Sequence, residues 1–300
     1  MSSEDGPSKH ELSKAWFFFL LTLVSVYVTY GWLWEEGSPL SDPATMARSA
    51  VFASALMAIL AAHELAHYWV AKRHGFALSL PYFIPFPFAF GTLGAVIRLR
   101  SLPRTRTGLL EMGAAGPLAG AVLAFACLIV GLQGTVPVEA PPIVDEGIEV
   151  LIFGNPEIMN WLGEWMTGSA PGRYDMLTPL ALAGWVGCFL TALNLLPVGQ
   201  LDGGHILTAL TPRWAPLVSK AVLGALLVAG AFLWEGWAVW AVLLVIMGAW
   251  EGLEVPREPG LTARAKWIAV AALVCFLLCF MPRPIQDETV AWLPVAVEGM

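Results

Sequence analysis

The chain has 300 residues, 57% of them hydrophobic and only 13% charged, with a net charge of −7. A soluble domain carries about 25% charged residues, so this composition excludes an ordinary soluble protein and points to one embedded in a bilayer. The 16 Lys and Arg residues are scattered over connecting segments rather than gathered on one face, which argues against a nucleic-acid partner.

In chain order, residues 1–14 are polar and are predicted to form a poorly ordered cytoplasmic tail. Seven apolar segments follow, at about 15–34, 48–72, 109–132, 177–197, 216–234, 237–253 and 265–281. Most approach the roughly 20 residues that cross a bilayer. The first is too long for a signal-peptide core and no small-residue cleavage site follows it, so an uncleaved membrane helix is expected. The sixth is short, so 216–253 is either two full spans or a hairpin that crosses only in part. The predicted fold class is an all-α polytopic membrane protein with about six to seven transmembrane helices. One membrane-embedded domain is expected over 15–281, with its core at 48–210 and a C-terminal tail at 282–300. With the N-terminus in the cytoplasm, 13 of the 16 Lys and Arg residues fall on the cytoplasmic side. Cys127, Cys188, Cys275 and Cys279 all lie in apolar runs and are expected to be buried free thiols. His10 and His74 are expected to face solvent.

Residues 76–104 break the helical pattern. Pro81, Pro85 and Pro87 rule out a regular helix over 76–90, and Gly91 to Arg100 reads as a short strand. A small re-entrant β element on the cytoplasmic side is therefore predicted, because irregular backbone at membrane depth must be covered by protein or water. The third segment carries Gly113, Gly116-Pro117 and Gly120, a spacing that suits close helix packing. Glu111 is read as an interface residue. The 133–176 loop holds an apolar stretch at 148–153 and tryptophans at 161 and 165, which predict a short amphipathic element on the membrane surface.

The chemistry concentrates in His63-Glu64-Leu65-Ala66-His67, an H-E-x-x-H motif inside an apolar run. On a helix the two imidazoles share one face a turn apart, which suits one Zn²⁺, and the intervening Glu64 is a candidate general base. Polar groups in a lipid-embedded helix are costly, so the cluster calls for a function. A third ligand is needed. Asp202 follows a helix break at Pro197 and the Gly203-Gly204 pair, on irregular backbone near the membrane, and a carboxylate there is a suitable third ligand. Topology agrees. The second segment runs inward and the fourth also returns inward, so His63, His67 and Asp202 all arrive on the cytoplasmic side. His205 either orients Asp202 or merely opens the next helix.

His63-Glu64-Leu65-Ala66-His67 together with Asn194-x-x-Pro197-x-x-x-Leu201-Asp202-Gly203 resembles the paired signature of the site-2 proteases, intramembrane zinc metalloproteases of peptidase family M50. Gly91-Thr92-x-Gly94-Ala95 and Gly116-Pro117-x-x-Gly120 resemble that family's intervening elements, so the likeness covers about residues 50–210. The details are closest to the compact prokaryotic and plastid branch without PDZ or CBS domains. The resemblance implies a zinc-dependent endopeptidase holding one Zn²⁺ per chain on His63, His67 and Asp202. Its substrates would be membrane proteins, cut within or near a transmembrane helix. Glu64 is then the catalytic base. Asn194 binds the oxyanion or the substrate backbone, or alternatively caps the broken helix. The implied location is a prokaryotic plasma (inner) membrane, with the lipid bilayer as partner and the site toward the cytoplasm. Two other readings share these residues: a catalytically silent membrane chaperone or scaffold, and a metal-ion transporter.

Overall fold

The computed structural model describes residues 8–97, 105–138, 143–248 and 260–290. Nine α-helices and four strands lie within them: α1 Lys9–Leu33, α2 Pro43–Arg73, β1 Tyr82–Pro85, β2 Thr92–Val96, α3 Arg106–Gly131, β3 Ile143–Phe153, α4 Glu157–Thr167, α5 Pro179–Asn194, α6 Asp202–Leu210, α7 Ala215–Phe232, α8 Gly236–Ile246, α9 Ala263–Cys279 and β4 Ile285–Val290. Each of the seven apolar segments contains most of one of these helices, the sixth over Trp237 to Ile246. Five of these begin at a residue whose side chain accepts the amide three positions on, namely Ser8, Asp42, Thr105, Thr178 and Thr262. Such caps satisfy amide groups that the first helical turn leaves unpaired.

Among the described residues, four helices are long and apolar enough to cross a bilayer: α1, α2, α3 with its following 3₁₀ turn, and α7. Helix α5 is shorter and lies at the centre. Its residues from Ala181 to Phe189 are all buried, as expected of a helix apolar on every side. Trp185 is fully enclosed and its indole N–H donates to the Gly154 carbonyl (2.6 Å). Helix α8 stops at Ile246, where Met247 and left-handed Gly248 (φ 76°) close it. At about 16 Å it covers only half the hydrocarbon thickness. Among the described residues, α8 is thus a short apolar helix that follows the longer α7.

Three sequence expectations change. The tail over 1–14 is helical from Lys9, because Ser8 and Glu11 form a reciprocal capping box. His74 does not simply face solvent: its Nε2 lies 3.0 Å from Glu111, which also faces Arg264 at 3.7 Å. Glu111 is indeed an interface residue, tying α2, α3 and α9 together. Finally, the apolar stretch at 148–153 is an extended strand with a distant partner. It belongs to β3, which pairs antiparallel with β4 (Leu151 opposite Asp287, Phe153 opposite Ile285). Residues 285–290, read as tail, are therefore part of a two-stranded ribbon. Helix α4 does expose Trp161 and Trp165 on one face, as the sequence led us to expect.

The re-entrant element is a β1–β2 hairpin with Tyr82 opposite Val96 and Phe83 opposite Ala95. It packs on α1 through edge-to-face contacts of Phe18 with Tyr82 and Phe19 with Phe83. The Trp34 indole also donates to the Ala89 carbonyl (3.0 Å). Residues 98–100 of the predicted strand lie outside the described residues.

Candidate metal centre

His63, Glu64 and His67 occupy the buried face of α2, with exposures of 6%, 7% and 9%. Asp202 is the first residue of α6, where the partial positive charge of the helix N-terminus favours a carboxylate. It arrives there through a tight turn after Asn194, the last residue of α5. In that turn Val198 N–H donates to Leu196 and Leu201 N–H to Val198. The Gly199 amide donates to Ser219 on α7 (3.3 Å). The turn is so compact that a Cβ on Gly203 would lie 2.0 Å from the Leu195 carbonyl oxygen.

These elements bring three donors together. His63 Nε2 lies 3.2 Å and His67 Nε2 3.1 Å from Asp202 Oδ2, and the two imidazole nitrogens are 3.0 Å apart. Ligands about 2.0–2.1 Å from a tetrahedral ion sit about 3.3 Å from one another, so this spacing fits one cation of zinc's size. The tautomer fits too. His67 Nδ1–H donates to the Met112 carbonyl (2.7 Å), leaving the Nε2 lone pair free for a metal. Among the described residues this is the one cluster of three or more His, Cys, Asp or Glu donors able to share an ion.

Helix α3 forms the back wall, and its glycines do more than pack helices. A Cβ on Gly116 would lie 2.1 Å from His67 Nε2 and 2.4 Å from its Cδ2. Only a hydrogen at that position leaves room for the ligating ring. Gly120 is one turn further on and less constrained, its Cβ position lying 3.4 Å from His63 Cβ. Arg106, the first residue of the same helix, holds the end of α6: its Nε donates to the Ala209 carbonyl (2.7 Å) and its Nη2 to Leu210 (2.8 Å).

A cavity of about 260 Å³ opens on the site. His63, Glu64, His67, Asn194 and Asp202 line it, so every residue singled out from the sequence reaches one place. Ala95 and Val96 of β2 form one wall, and Leu244 and Met247 at the end of α8 another. His205 lines the same cavity outside the donor set, and its buried Nδ1 has no partner among the described residues. Met112, Arg106 and the role of Gly116 in admitting His67 were not identified from the sequence. The Gly116-Pro117-x-x-Gly120 pattern was the available signal, but it does not say which neighbour the glycine admits.

Similarity to known proteins identifies the family. Residues 51–234 match the model of peptidase family M50. Two of the curated relatives are the "Probable zinc metalloprotease EGY2, chloroplastic" of Oryza sativa subsp. indica, 32% identical over 76% of this chain, and its namesake from Arabidopsis thaliana, 30% identical over 75%. The chain spans 41% and 40% of their respective lengths. A site-2 protease structure from Methanocaldococcus jannaschii aligns with 82% of this chain and 92% of its own, at 19% identity and a TM-score of 0.40. With the match covering more than half its length and the apolar helices described above, the chain is an integral membrane protein that belongs to peptidase family M50.

Proposed function

We propose that this chain is a zinc-dependent intramembrane endopeptidase that hydrolyses peptide bonds within or near the transmembrane helices of membrane-protein substrates. The observation that carries the reading is the convergence of His63, His67 and Asp202 with Glu64 and Asn194 on one cavity. His63, His67 and Asp202 would hold the metal. A zinc ion bound there lowers the pKa of a water molecule to about 7 and polarises the scissile carbonyl. Glu64, next in sequence to His63 and buried on the same face, takes a proton from the attacking water and passes it to the leaving amine. Asn194 offers its amide to the developing oxyanion or to the substrate backbone. Thr92–Val96 supplies an extended strand at the cavity wall, against which an unwound substrate segment can pair. Unwinding matters because a helical peptide bond is shielded by its own hydrogen bonding and side chains.

The strong Lys and Arg asymmetry supports a site facing the cytoplasmic side of its membrane, which we place in a prokaryotic plasma membrane; the relatives named above are chloroplastic. The test is reconstitution in proteoliposomes with a panel of single-span substrates, wild type against Glu64→Gln. Cleavage mapped by mass spectrometry to the substrate span, and lost in Glu64→Gln, is expected. A zinc-loaded wild type inert on every substrate would favour the scaffold reading, and zinc flux without cleavage the transporter reading.

A further inference from the structure

A second cavity, an open groove of about 470 Å³, lies on the outer surface between α6 and α9. One wall is the α9 face Lys266, Ala269, Val270, Leu273 and Phe276. The other wall is Ile206, Leu207 and Leu210 of α6, and the floor reaches Leu195, Pro197 and Gly203, the turn that delivers Asp202. Among the described residues that line the groove, Lys266 is the only charged one. It is exposed, and among the described residues no carboxylate lies within ion-pair distance of it.

We propose that this groove binds one anionic glycerophospholipid, with its phosphate on Lys266 and an acyl chain running along α9 to the Asp202 turn. Three features select that occupant. The α9 wall from Lys266 to Phe276 is about 15 Å long, half of the roughly 30 Å hydrocarbon core. A single-leaflet chain matches that length, whereas a transmembrane helix would need twice as much. Lys266 also sits at headgroup level: it is in the first turn of α9 beside Trp267, which is 74% exposed, and Lys and Trp together mark a membrane interface. Lastly, a basic group at the mouth of an otherwise apolar inter-helical groove complements a phosphate with a tail. Lipid tails are as apolar as the groove walls, so the walls alone would not distinguish one lipid from another, and selectivity rests on Lys266.

The experiment is native mass spectrometry of the full chain, purified in detergent and equilibrated with equimolar phosphatidylglycerol and phosphatidylcholine of matched acyl chains. Wild type is expected to retain one phosphatidylglycerol, preferred by about fivefold, the factor one charge carries at a membrane surface. Lys266→Gln should bring the two lipids to parity. Val270→Trp, which fills the groove from a half-exposed position, should lose both. Lys220→Gln, an exposed lysine on α7 outside the groove, should keep the wild-type preference. All three positions are exposed, and unchanged thermal unfolding will show that the variants are folded. An undiminished preference in Lys266→Gln, a preference lost equally in Lys220→Gln, or no lipid retained by the wild type would each overturn the proposal. Crosslinking of a substrate helix to Leu273 in place of lipid would do the same.

Discussion

Replacing Gly116 with alanine should remove the metal without unfolding the protein. The new Cβ would stand 2.1 Å from His67 Nε2, and ordinary van der Waals contact begins near 3.4 Å, so the ring must retreat by about 1.3 Å. It cannot retreat freely, because its Nδ1–H is held by the Met112 carbonyl at 2.7 Å. Breaking that bond costs about 1 kcal/mol. Metal–ligand distances tolerate only about 0.2 Å, so a ring displaced this far no longer ligates. Loss of the orienting hydrogen bond alone typically lowers metal affinity by about 10–100-fold, and loss of the ligand adds to that. Meanwhile alanine is favoured over glycine inside a helix by about 0.8–1.0 kcal/mol, which offsets the strain in overall stability. Gly120→Ala is the matched control: the same helix, the same gain in propensity, and a Cβ at a tolerable 3.4 Å from His63. Zinc titration monitored by calorimetry should show at least a 100-fold loss for Gly116→Ala and near wild-type affinity for Gly120→Ala. Equal affinities in the two variants would refute the account of why α3 carries glycine against His67.

Other consequences follow from the same geometry. Arg106→Leu removes both guanidinium bonds to the C-terminus of α6 and should cost about 1–3 kcal/mol in thermal unfolding while speeding zinc loss to a chelator. Gly203→Ala places a Cβ 2.0 Å from the backbone oxygen of Leu195, so it should displace Asp202 and abolish zinc binding even though the carboxylate is retained. Cysteines introduced at Leu151 and Asp287, which face each other across β3 and β4, should form a disulfide under mild oxidation, read as a gel shift. Failure of that bridge to form would contradict the β3–β4 register.

Much of the site was legible because its signals are local. The i, i+4 spacing of His63 and His67 fixes their common face, and Pro197 with Gly203-Gly204 announces the break that presents Asp202. Counting crossings then places the two motifs on one side of the bilayer. The proline-rich stretch at 81–87 likewise declares that a helix is impossible there, although it does not reveal that Tyr82–Pro85 pairs with Thr92–Val96. What stayed hidden depends on distant partners. The strand over 143–153 pairs with residues 285–290, and no pattern within either segment names the other. His74 meets Glu111 only because α2 and α3 pack with a particular rotation. That same rotation decides that Gly116, rather than Gly113 or Gly120, faces the His67 imidazole nitrogen. The length of α8 was ambiguous because the apolar run continues past Gly248, where the backbone turns left-handed and the helix has already closed.

The central claim is that His63, His67 and Asp202 hold a single zinc ion that Glu64 serves without ligating. Zinc content measured by mass spectrometry on purified wild type, His63→Ala, Asp202→Ala and Glu64→Gln tests it most directly, with cleavage assayed on the same preparations. The account predicts one zinc per chain in wild type and Glu64→Gln, none in the other two, and cleavage by the wild type alone. Stoichiometric zinc in Asp202→Ala, or full cleavage by Glu64→Gln, would contradict it.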